Sequence, residues 1–462
     1  MSPANPIILS RSSQGLQSPR VRIVHLGLGA FHRAHEAWYT AHSSDASEWG
    51  IAAFTGRSAQ AAEVLSSQDG LYCLVTRGAT GDQVEVVSSI VAAHSGAELD
   101  ALASYLGRSE VAILSTTVTE AGYRLTASGG LNTSDPELEA DMKNMLTHGI
   151  VQANPTTALG RLLFALQVRR SSGAGPISVV PCDNVPDNGW WLRTGLLALA
   201  AHVDETLVGW IQDNVSFVST SVDRITPRSV PSDEEAAQRA GWLDVAPVVT
   251  EPFSDWTLCG VFPAGRPDWE SAGARFVEDI LPYERRKLWL LNGAHSLIAA
   301  AGLNRGHESV SEASADAEVW AMVEAFWEEG AAHLPGIEHV AYRASLRERF
   351  NNPRIVHLLT QIAGDASTKF QVRTCAVAAQ ELAAGRDGAA CAIAIAEWAV
   401  STTLPRPASD TRSAQIAMAS KGRDPVLELV RLLSDELAST PAFVAQVRRH
   451  AAHLQSTVVG RA

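Results

Sequence analysis

The strongest constraint on the fold of this chain lies in residues 22–35, which read RIVHLGLGAFHRAH. The apolar run at 22–28 predicts a buried β-strand, and a helical pattern begins at about Phe31. Between them, Gly27 permits a tight turn and Gly29 lets the backbone approach a ligand closely. A helix that begins directly after such a turn presents free N–H groups to phosphates, so the segment predicts a dinucleotide-binding βαβ unit.

The usual fingerprint carries a third glycine, which is missing here, so an ordinary strand-to-helix turn stays open as the alternative. The first half of the chain favours dinucleotide binding, because short apolar runs alternate with helical stretches as in a parallel sheet. The further predicted strands are 50–54, 71–76, 84–90, 111–115, 177–182 and 215–219. We therefore predict an α/β fold with a Rossmann-like N-terminal domain and a parallel-rich sheet.

The pattern changes near residue 280, beyond which long Ala- and Leu-rich stretches with helical spacing dominate. We expect a flexible lead-in at 1–20, a NAD(P)-binding Rossmann-like domain at 21–280 and a mostly α-helical substrate-binding and catalytic domain at 281–462. A chain of 462 residues is long enough for two such cores. The active site is expected in the cleft between them.

Charge and composition argue against several classes of partner. The chain has 37 Lys and Arg against 50 Asp and Glu, a net charge of −13, so no basic surface is available for nucleic acid. No apolar run approaches the ~20 residues of a membrane helix. Residues 1–20 lack the apolar core of a signal peptide, so a cytoplasmic protein is expected. The five cysteines are widely spaced, which favours reduced, mostly buried thiols over disulfides or structural zinc.

The loop after the second predicted strand bears on cofactor preference. Residues 54–60 read FTGRSAQ and hold no carboxylate, although NAD-selective sites usually place one there for the ribose 2′-hydroxyl. Arg57 can pair with a 2′-phosphate, so the loop is compatible with NADP as well as NAD, and a solvated Arg57 is the alternative. The predicted cofactor-binding residues are Gly27, Gly29, Ala30, Phe31, His32, Arg57 and Ser58.

The segment 283–296, YERRKLWLLNGAHS, carries polar side chains within an apolar helical pattern. At about 100° per residue of an α-helix, Lys287 shares one arc with Glu284, Asn292 and His295. A lysine in such a setting loses solvation and can act as a base near neutral pH. An amide beside it can donate a hydrogen bond to an alkoxide. Surface or capping roles remain the alternative for these side chains.

Two further polar segments follow predicted strands. They are PCDNVPDNG at 181–189, which contains Asn184, and SVDRITP at 221–227, which contains Asp223. The first is also a good turn sequence, and the second also suits a plain Asp–Arg salt bridge. In open α/β sheets, however, ligands gather at the carboxyl ends of strands, so both segments are candidate parts of the site.

Taken in order, these segments resemble the polyol-specific long-chain dehydrogenase/reductase family, which includes mannitol 2-dehydrogenase and fructuronate reductase (mannonate oxidoreductase). Nine motifs carry the resemblance from 22 to at least 373. They are GLGAFHRAH at 27–35, SSQDGLYCL at 66–74, STTVTEAGY at 115–123, PCDNVPDNG at 181–189, VDRITP at 222–227, TEPFSDW at 250–256, GRPDWE at 265–270, YERRKLWLLNGAHS at 283–296 and RFNNPRIVHLLTQIAGDASTK at 349–369.

The resemblance implies a metal-independent, NAD(P)-dependent dehydrogenase that interconverts a secondary alcohol and a ketone. It implies that Lys287 is the general acid/base and that Glu284 relays the proton to solvent. It further implies that Asn184 and Asn292 stabilise the developing alkoxide, and that His295 orients the reacting hydroxyl. The residues assigned to the substrate pocket are Asp223, His357, Lys369 and Arg373.

The chain departs from the family pattern at three places. Residues 256–260 read WTLCG where mannitol and fructuronate enzymes often carry an acidic pair, and Ala366 replaces the glycine of a DGS motif. Ala59 and Gln60 stand where NAD-preferring members carry an acidic pair. The first two departures bear on substrate identity, and the third bears on the choice between NAD and NADP.

The expected partner is a small sugar acid or sugar alcohol. The run around Asn352 and His357 resembles the fructuronate reductase branch, and a uronate carboxylate needs a cation such as Lys369 or Arg373. We therefore favour the mannonate/fructuronate pair. The alternatives are a neutral polyol, as for mannitol or arabinitol dehydrogenases, and a catalytically silent NAD(P)-binding sensor. The tripeptide Gly-His-Glu at 306–308 hints at a zinc alcohol dehydrogenase, but no cysteine ligand set accompanies it.

Overall fold

The computed structural model describes residues 6–227 and 230–459, and the chain divides into two compact units, Met1–Leu281 and Pro282–Ala462. The expected flexible lead-in falls partly on residues 1–5, which lie outside the described range. Residues 6–20 include contacts with the rest of the first unit, and the flexible lead-in stays a prediction. Leu9 is fully buried, and the guanidinium of Arg11 donates to the carbonyls of Ser88 and Ile90. These contacts fix the segment against the first unit.

The first unit alternates strands and helices. Its strands are β1 (Ile7–Ile8), β2 (Val21–Leu26), β3 (Gly50–Phe54), β4 (Tyr72–Gly78), β5 (Gly81–Val87), β6 (Ile90–His94), β7 (Ile113–Thr116), β8 (Ile177–Pro181), β9 (Val215–Phe217), β10 (Ser219–Asp223), β11 (Trp242–Leu243), β12 (Val248–Thr250), β13 (Asp255–Cys259) and β14 (Arg275–Phe276). Its helices are α1 (Arg11–Gln14), α2 (Ala30–Ala34), α3 (Glu36–His42), α4 (Gln60–Ser66), α5 (Leu99–Leu106), α6 (Pro136–His148), α7 (Ala158–Ser172), α8 (Asn188–Val203), α9 (Glu205–Asn214) and α10 (Pro231–Arg239). Short 3₁₀ turns lie at Ala46–Glu48, Glu120–Tyr123, Ile150–Gln152 and Trp269–Ala272.

Within the described residues, six strands form a parallel sheet in the order β6-β3-β2-β7-β8-β9. This confirms the predicted Rossmann-like domain. The chain winds outward in opposite directions on the two sides of β2, which is where open α/β sheets leave a ligand crevice at the carboxyl ends of the strands. The glycine turn at residues 27–29 directly follows β2, so it lies at this crevice.

The sheet is buried on both faces, which explains why its strands are almost continuously apolar. Side chains alternate between two cores along each strand. Val24 and Phe54 face a core built with α5, α7 and α8, whereas Ile23 and Ile51 face a core that contains Trp256 and Trp269. Each fully buried side chain of this size contributes about 1.5–3 kcal/mol to folding.

Two predicted strands lie outside the parallel sheet. β4 and β5 pair antiparallel, and β12 adds to β4 in a separate sheet. The reason is the connection, because two residues between β4 and β5 close a hairpin, whereas a parallel pair needs a crossover of a dozen or more residues. β10 likewise pairs antiparallel with β13 in a further sheet.

The described residues of the second unit form helices and the loops that join them, which confirms the predicted mostly α-helical domain. It contains α11 (Leu281–Arg286), a π-helical segment (Lys287–Gly293), α12 (Ala294–Arg305), α13 (Val310–Ala315), α14 (Ala317–Ala331), α15 (Val340–Phe350), α16 (Leu359–Ile362), α17 (Ala366–Ala383), α18 (Ala389–Ser401), α19 (Ser413–Ser420), α20 (Pro425–Leu433), α21 (Asp435–Ala438) and α22 (Pro441–Val459). α12 is buried along most of its length among α13, α14, α16 and α18. Small residues in α12 permit this close packing.

All five cysteines are free thiols. Four of them are buried, and Cys259 at the end of β13 is half-buried. Within residues 6–227 and 230–459, no helix combines the length and the apolar character that a membrane crossing requires.

Candidate active site

The turn after β2 is fixed by its neighbours in the sheet. The N–H groups of Gly27 and Leu28 both donate to the carbonyl of Phe54, at 2.8 and 2.9 Å. The hydroxyl of Thr117, just beyond β7, donates to the carbonyl of Gly27 at 2.7 Å. Gly27 has φ +115° and a Cβ there would collide with the Thr117 carbonyl, so only glycine fits. Thr117 belongs to the STTVTEAGY motif, but sequence reasoning did not assign it a role.

Gly29 precedes α2 in an extended conformation, and the nearest atom to a Cβ on it would be 3.6 Å away. The backbone is therefore open to close approach at this point. Ala30 and Phe31 begin the helix, and their N–H groups lie at its N-terminus. Four of the predicted cofactor residues thus line one cradle of backbone at the carboxyl end of β2.

His32 differs from the other residues of this segment, because its side chain is fully buried beneath the turn. Its ring stacks on that of His25, with centroids 3.4 Å apart and planes 11° apart. The carboxylate of Glu36 lies 3.0 Å from Nδ1 of His25 and 3.2 Å from Nδ1 of His32, and the Ser115 hydroxyl donates to it at 2.7 Å. His32 therefore supports the turn from below rather than facing a bound molecule with its imidazole.

Contacts within this buried cluster shift the pKa values of His32 and Glu36. Burial, together with the neighbouring His25, lowers the pKa of His32 to about 4. Burial alone would raise the pKa of Glu36, but hydrogen bonds from the two histidines outweigh it and hold that pKa well below its ordinary value. The carboxylate is therefore ionised, with its contacts to His25, His32 and Ser115 all made by Oε2, while the buried Oε1 accepts no hydrogen bond from the described residues.

Of the side chains that the structure describes, His25, His32 and Glu36 form the one group whose ligand atoms are near enough together for a metal ion. Imidazole lone pairs lie in the ring plane, so two parallel stacked rings cannot direct them at a common ion. Both nitrogens of His25 already hydrogen-bond, to Ser115 at 2.8 Å and Thr117 at 2.9 Å. The geometry is that of a hydrogen-bonded network.

A cavity of about 480 Å³ lies beside the turn, at the carboxyl end of β3. Leu28, Ser58 and Gln60 contribute to its lining. Arg57 does not line it, since its side chain is 82% exposed and lies 3.4 Å from the carboxylate of Glu137. The two predicted residues of this loop therefore separate, with Ser58 at the cavity and Arg57 directed to solvent.

The turn after β8 presents Asn184 on the surface of the first unit. Asn188 is fully buried and holds the turn, because its amide donates to the carbonyl of Pro181 at 3.0 Å and to the carboxylate of Asp183 at 3.1 Å. The hydroxyl of Tyr123 donates to the other oxygen of Asp183 at 2.9 Å. Asn188 and Tyr123 both lie in quoted motifs, but their supporting roles depend on tertiary contacts.

Asp223 is the last residue of β10 and is buried, opposite Asp255 of β13. Its neighbour Arg224 donates to the carbonyl of Ala34 at 2.5 Å and lies over the ring of Trp38. The guanidinium of Arg224 is thus used to join β10 to α2 and α3.

In the second unit, Lys287 begins the π-helical segment, Asn292 lies near its end, and His295 follows it in α12. A π-helical turn closes on i→i+5 hydrogen bonds and is wider than an α-turn. The angles derived at 100° per residue are therefore wrong across 287–293. π-Helical turns occur frequently at functional sites.

Side chains from neighbouring helices stabilise the π-helical segment. The indole N–H of Trp327 donates to the carbonyl of Leu290 at 2.7 Å. The carbonyl of Asn292 accepts from Arg373 at 3.1 Å and from the hydroxyl of Ser296 at 3.1 Å. Arg373, predicted as a substrate residue, therefore also fixes the backbone that carries Asn292.

His295 lies among aromatic and cationic groups of its own unit. Its ring centroid is 4.7 Å from Phe350 and 5.4 Å from His357, edge-on to the latter. Burial lowers the pKa of His295 well below its ordinary value, and the nearby His357, Arg349, Arg373 and Lys369 lower it further. The imidazole is therefore neutral across the physiological pH range. Arg349 was not singled out from the sequence, although it opens the RFNNP motif.

Lys369 lies in α17 and is half-buried. Its ammonium group donates to the carbonyls of Ile362 at 2.9 Å and Gly364 at 2.5 Å. An ammonium group has three donors, so one is left for a further acceptor. Burial and the neighbouring Arg373 lower the pKa of Lys369.

His307, from the tripeptide at 306–308, lies 3.1 Å from the carboxylate of Asp316. It belongs to the connection between α12 and α13. The structure gives it a hydrogen-bond partner within its own unit.

Comparison with known proteins matches both units. The model of the mannitol dehydrogenase Rossmann domain matches residues 21–271, and that of the mannitol dehydrogenase C-terminal domain matches residues 279–455. D-mannonate oxidoreductase of Escherichia coli is 36% identical over 390 residues, which cover 82% of this chain and 79% of that protein. Mannitol 2-dehydrogenase of Cereibacter sphaeroides is 34% identical over 357 residues, 75% of this chain and 73% of that protein.

Among solved structures, the ternary complex of Pseudomonas fluorescens mannitol 2-dehydrogenase with NAD and D-mannitol matches with a TM-score of 0.76 and 31% identity. The match covers 96% of this chain and 93% of that one.

Proposed function

The chain belongs to the mannitol dehydrogenase family, and from that premise we propose that it interconverts a secondary alcohol and a ketone on a linear sugar acid, with D-mannonate and D-fructuronate as the leading pair. Membership makes it a polyol or sugar-acid dehydrogenase. The finer choice depends on its own site, because relatives of similar identity are named for a sugar acid and for a neutral polyol.

One observation carries the preference for an acid. His295 is surrounded, within its own unit, by the cations Arg349, Lys369 and Arg373. A cluster of positive charge in a partly buried setting favours an anionic ligand, and charge-assisted hydrogen bonds to a carboxylate are about twice as strong as neutral ones. Two of the three N–H groups of the Lys369 ammonium donate to backbone carbonyls. The third is proposed to donate to the substrate carboxylate.

The residues of the first unit fit a nicotinamide dinucleotide. The cradle at Gly27 and Gly29, where the backbone is open to close approach at Gly29, suits the pyrophosphate, and the N–H groups at the start of α2 would hold it. The cavity lined by Ser58 suits the adenosine ribose. When bound, the nicotinamide supplies the hydride chemistry.

In the proposed mechanism the side chains move one proton and stabilise one charge. Lys287 takes the hydroxyl proton in oxidation and returns it in reduction, and Glu284 passes it on to solvent. The amides of Asn184 and Asn292 donate to the substrate oxygen as negative charge develops on it. His295, held neutral by its surroundings, orients the reacting hydroxyl. Asp223 and His357 are proposed to contact the substrate.

A substrate panel tests the proposal. NADH and NADPH oxidation is measured with fructuronate, tagaturonate, fructose and xylulose at equal concentration. We expect kcat/KM to be highest with a uronate, because only a uronate offers a carboxylate to the cationic cluster. If only the neutral ketoses react, the proposal of a sugar-acid substrate is refuted. If none of the four compounds is turned over, a catalytically silent NAD(P)-binding protein is favoured. Activity should survive a chelator, since no proposed step uses a metal.

A further inference from the structure

The cavity at the end of β3 is placed where a Rossmann fold receives the adenosine ribose. β3 lies next to β2, and the residue that reads the ribose 2′ position usually follows this second strand. Here that stretch supplies only uncharged residues to the cavity, among them Thr55, Ser58 and Gln60. The strand end therefore offers no charge that distinguishes a 2′-hydroxyl from a 2′-phosphate.

Two charged side chains line this cavity, Arg33 and Glu234. Arg33 is used in the wall, because it donates to the carbonyl of Gly29 at 3.4 Å and to that of Ala246 at 2.6 Å. Its guanidinium also lies over the ring of Tyr72, 5.4 Å from the centroid, and burial lowers its pKa. Arg33 thus joins the dinucleotide turn to the segment before β12.

Glu234 comes from a different part of the chain, the first turn of α10. Its side chain is exposed at the cavity, and among residues 6–227 and 230–459 no hydrogen bond or ion pair engages it. A carboxylate in this state is an available acceptor for a hydroxyl. Arg57, the residue that sequence reasoning offered for a 2′-phosphate, does not line the cavity and lies beside Glu137.

We propose that Glu234 determines cofactor specificity and selects NAD over NADP, by accepting a hydrogen bond from the ribose 2′-hydroxyl and repelling a 2′-phosphate. The inference rests on the proposed function for the nature of the bound molecule. It assigns to α10 the task that the second strand usually performs. Selection by repulsion needs no new attractive contact, because a like charge facing the phosphate is sufficient.

Direct binding tests the assignment. NADH and NADPH are titrated into the full-length protein without substrate, with cofactor fluorescence as the readout. We expect wild-type protein to bind NADH at least about tenfold more tightly than NADPH, because the Glu234 carboxylate would repel a 2′-phosphate of like charge. Glu234→Gln should lower the NADH:NADPH preference by about tenfold, and Glu234→Arg should reverse it.

Glu235→Gln is the matched control, because it removes the same charge from the next residue of α10. Glu235 does not line the cavity and lies 3.7 Å from Arg239 on its own helix. We expect Glu235→Gln to keep the wild-type preference. An unchanged preference in Glu234→Gln, an equal change in the control, or a wild-type preference for NADPH would each overturn the assignment.

The binding readout separates this inference from the proposed reaction. If no ketose or uronate is turned over but Glu234→Gln still alters the cofactor preference, the proposed function fails and the assignment of Glu234 stands. If fructuronate is reduced and the preference is insensitive to Glu234, the assignment fails and the proposed function stands. Because Glu234 is exposed, the thermal unfolding midpoint of each variant should match that of wild type.

Discussion

Lys287 is the side chain whose removal should separate chemistry from binding. A positioned general acid/base contributes about 10²–10⁴-fold to rate. We therefore expect Lys287→Met to lower kcat by at least about a hundredfold, while the Kd for NADH stays near the wild-type value. Single-turnover hydride transfer and NADH fluorescence titration measure the two quantities. Wild-type turnover in this variant would remove Lys287 from the mechanism.

Substitution of Lys369 tests directly whether the substrate is a sugar acid. Loss of a charge-assisted hydrogen bond costs about 1.5–3 kcal/mol, so Lys369→Met should lower kcat/KM for a uronate by about 10- to 100-fold and affect a neutral ketose much less. Lys421→Met is the control, because Lys421 is an exposed lysine at the end of α19 in the same unit. Equal losses with charged and neutral substrates would indicate that Lys369 only maintains the fold.

The sequence indicated some site residues better than others, for a physical reason. Lys287, Asn292 and His295 form a compact local pattern, so their spacing alone predicts a candidate site. Glu234 is indicated only by the cavity that it lines, and Arg349, although it opens the RFNNP motif, is indicated only by its influence on His295. Their placement depends on residues distant in sequence.

At the scale of elements, one indole supports the middle of the π-helical segment. Trp327→Phe removes the N–H that donates to the carbonyl of Leu290 while keeping most of the aromatic volume. We expect kcat to fall about tenfold with little change in NADH affinity, because Lys287 and Asn292 lie on the segment that loses support and a poorly positioned group costs rate.

Trp320→Phe is the matched control for that experiment. Trp320 lies on the same helix, α14, and its indole donates to Glu324 one turn along at 2.8 Å, away from the π-helical segment. Its replacement should leave kcat near wild type. If both variants behave alike, the support of Leu290 by Trp327 has no catalytic consequence.

The π-helical segment was not foreseen because local sequence does not distinguish it from an α-helix. The run KLWLLNG has ordinary helical spacing, and the wider turn is stabilised by donors from α14 and α17. Gly293 gives a partial signal in retrospect, since a Cβ there would come within 2.6 Å of the ring of Phe326. The antiparallel pairing of β4 and β5 differs from the predicted parallel arrangement because only two residues connect the two strands.

At the scale of the whole molecule, buried histidines predict sensitivity to acid. Burial lowers the pKa of His32 to about 4 and that of His35 to about 3, and lowers that of His295 well below its ordinary value. Below pH 6.5 the unfolded chain binds protons that these folded sites do not, so stability falls as pH falls. His42 opposes this weakly, because its hydrogen bond to Glu85 raises its pKa.

We therefore expect the thermal unfolding midpoint to be at least a few degrees lower at pH 5 than at pH 7. A loss of about 1 kcal/mol in the free energy of unfolding lowers the midpoint by about 2–4 °C in units of this size. Differential scanning calorimetry at constant ionic strength measures it. Glu36 does not alter this expectation between pH 7 and 5, since its lowered pKa matters only in more acidic solution. An equal or higher midpoint at pH 5 would contradict the prediction.

The two-part organisation was accessible from sequence because periodicity differs between long segments. Short buried runs of about five residues gave the parallel sheet, and extended Ala/Leu stretches gave the helical unit. The order of strands in the sheet and the contacts of α10 with the cavity were not accessible, because strand pairing depends on tertiary geometry.

The state of the five thiols has a practical consequence. Four are enclosed, while the half-buried Cys259 has a pKa raised by burial and therefore reacts slowly at neutral pH. A maleimide fluorophore at mildly alkaline pH should consequently attach at one position on the native protein, and intact mass spectrometry should show one adduct before denaturation and five after it. The natural sequence thus offers a single attachment point for spectroscopy, with no cysteine to engineer away.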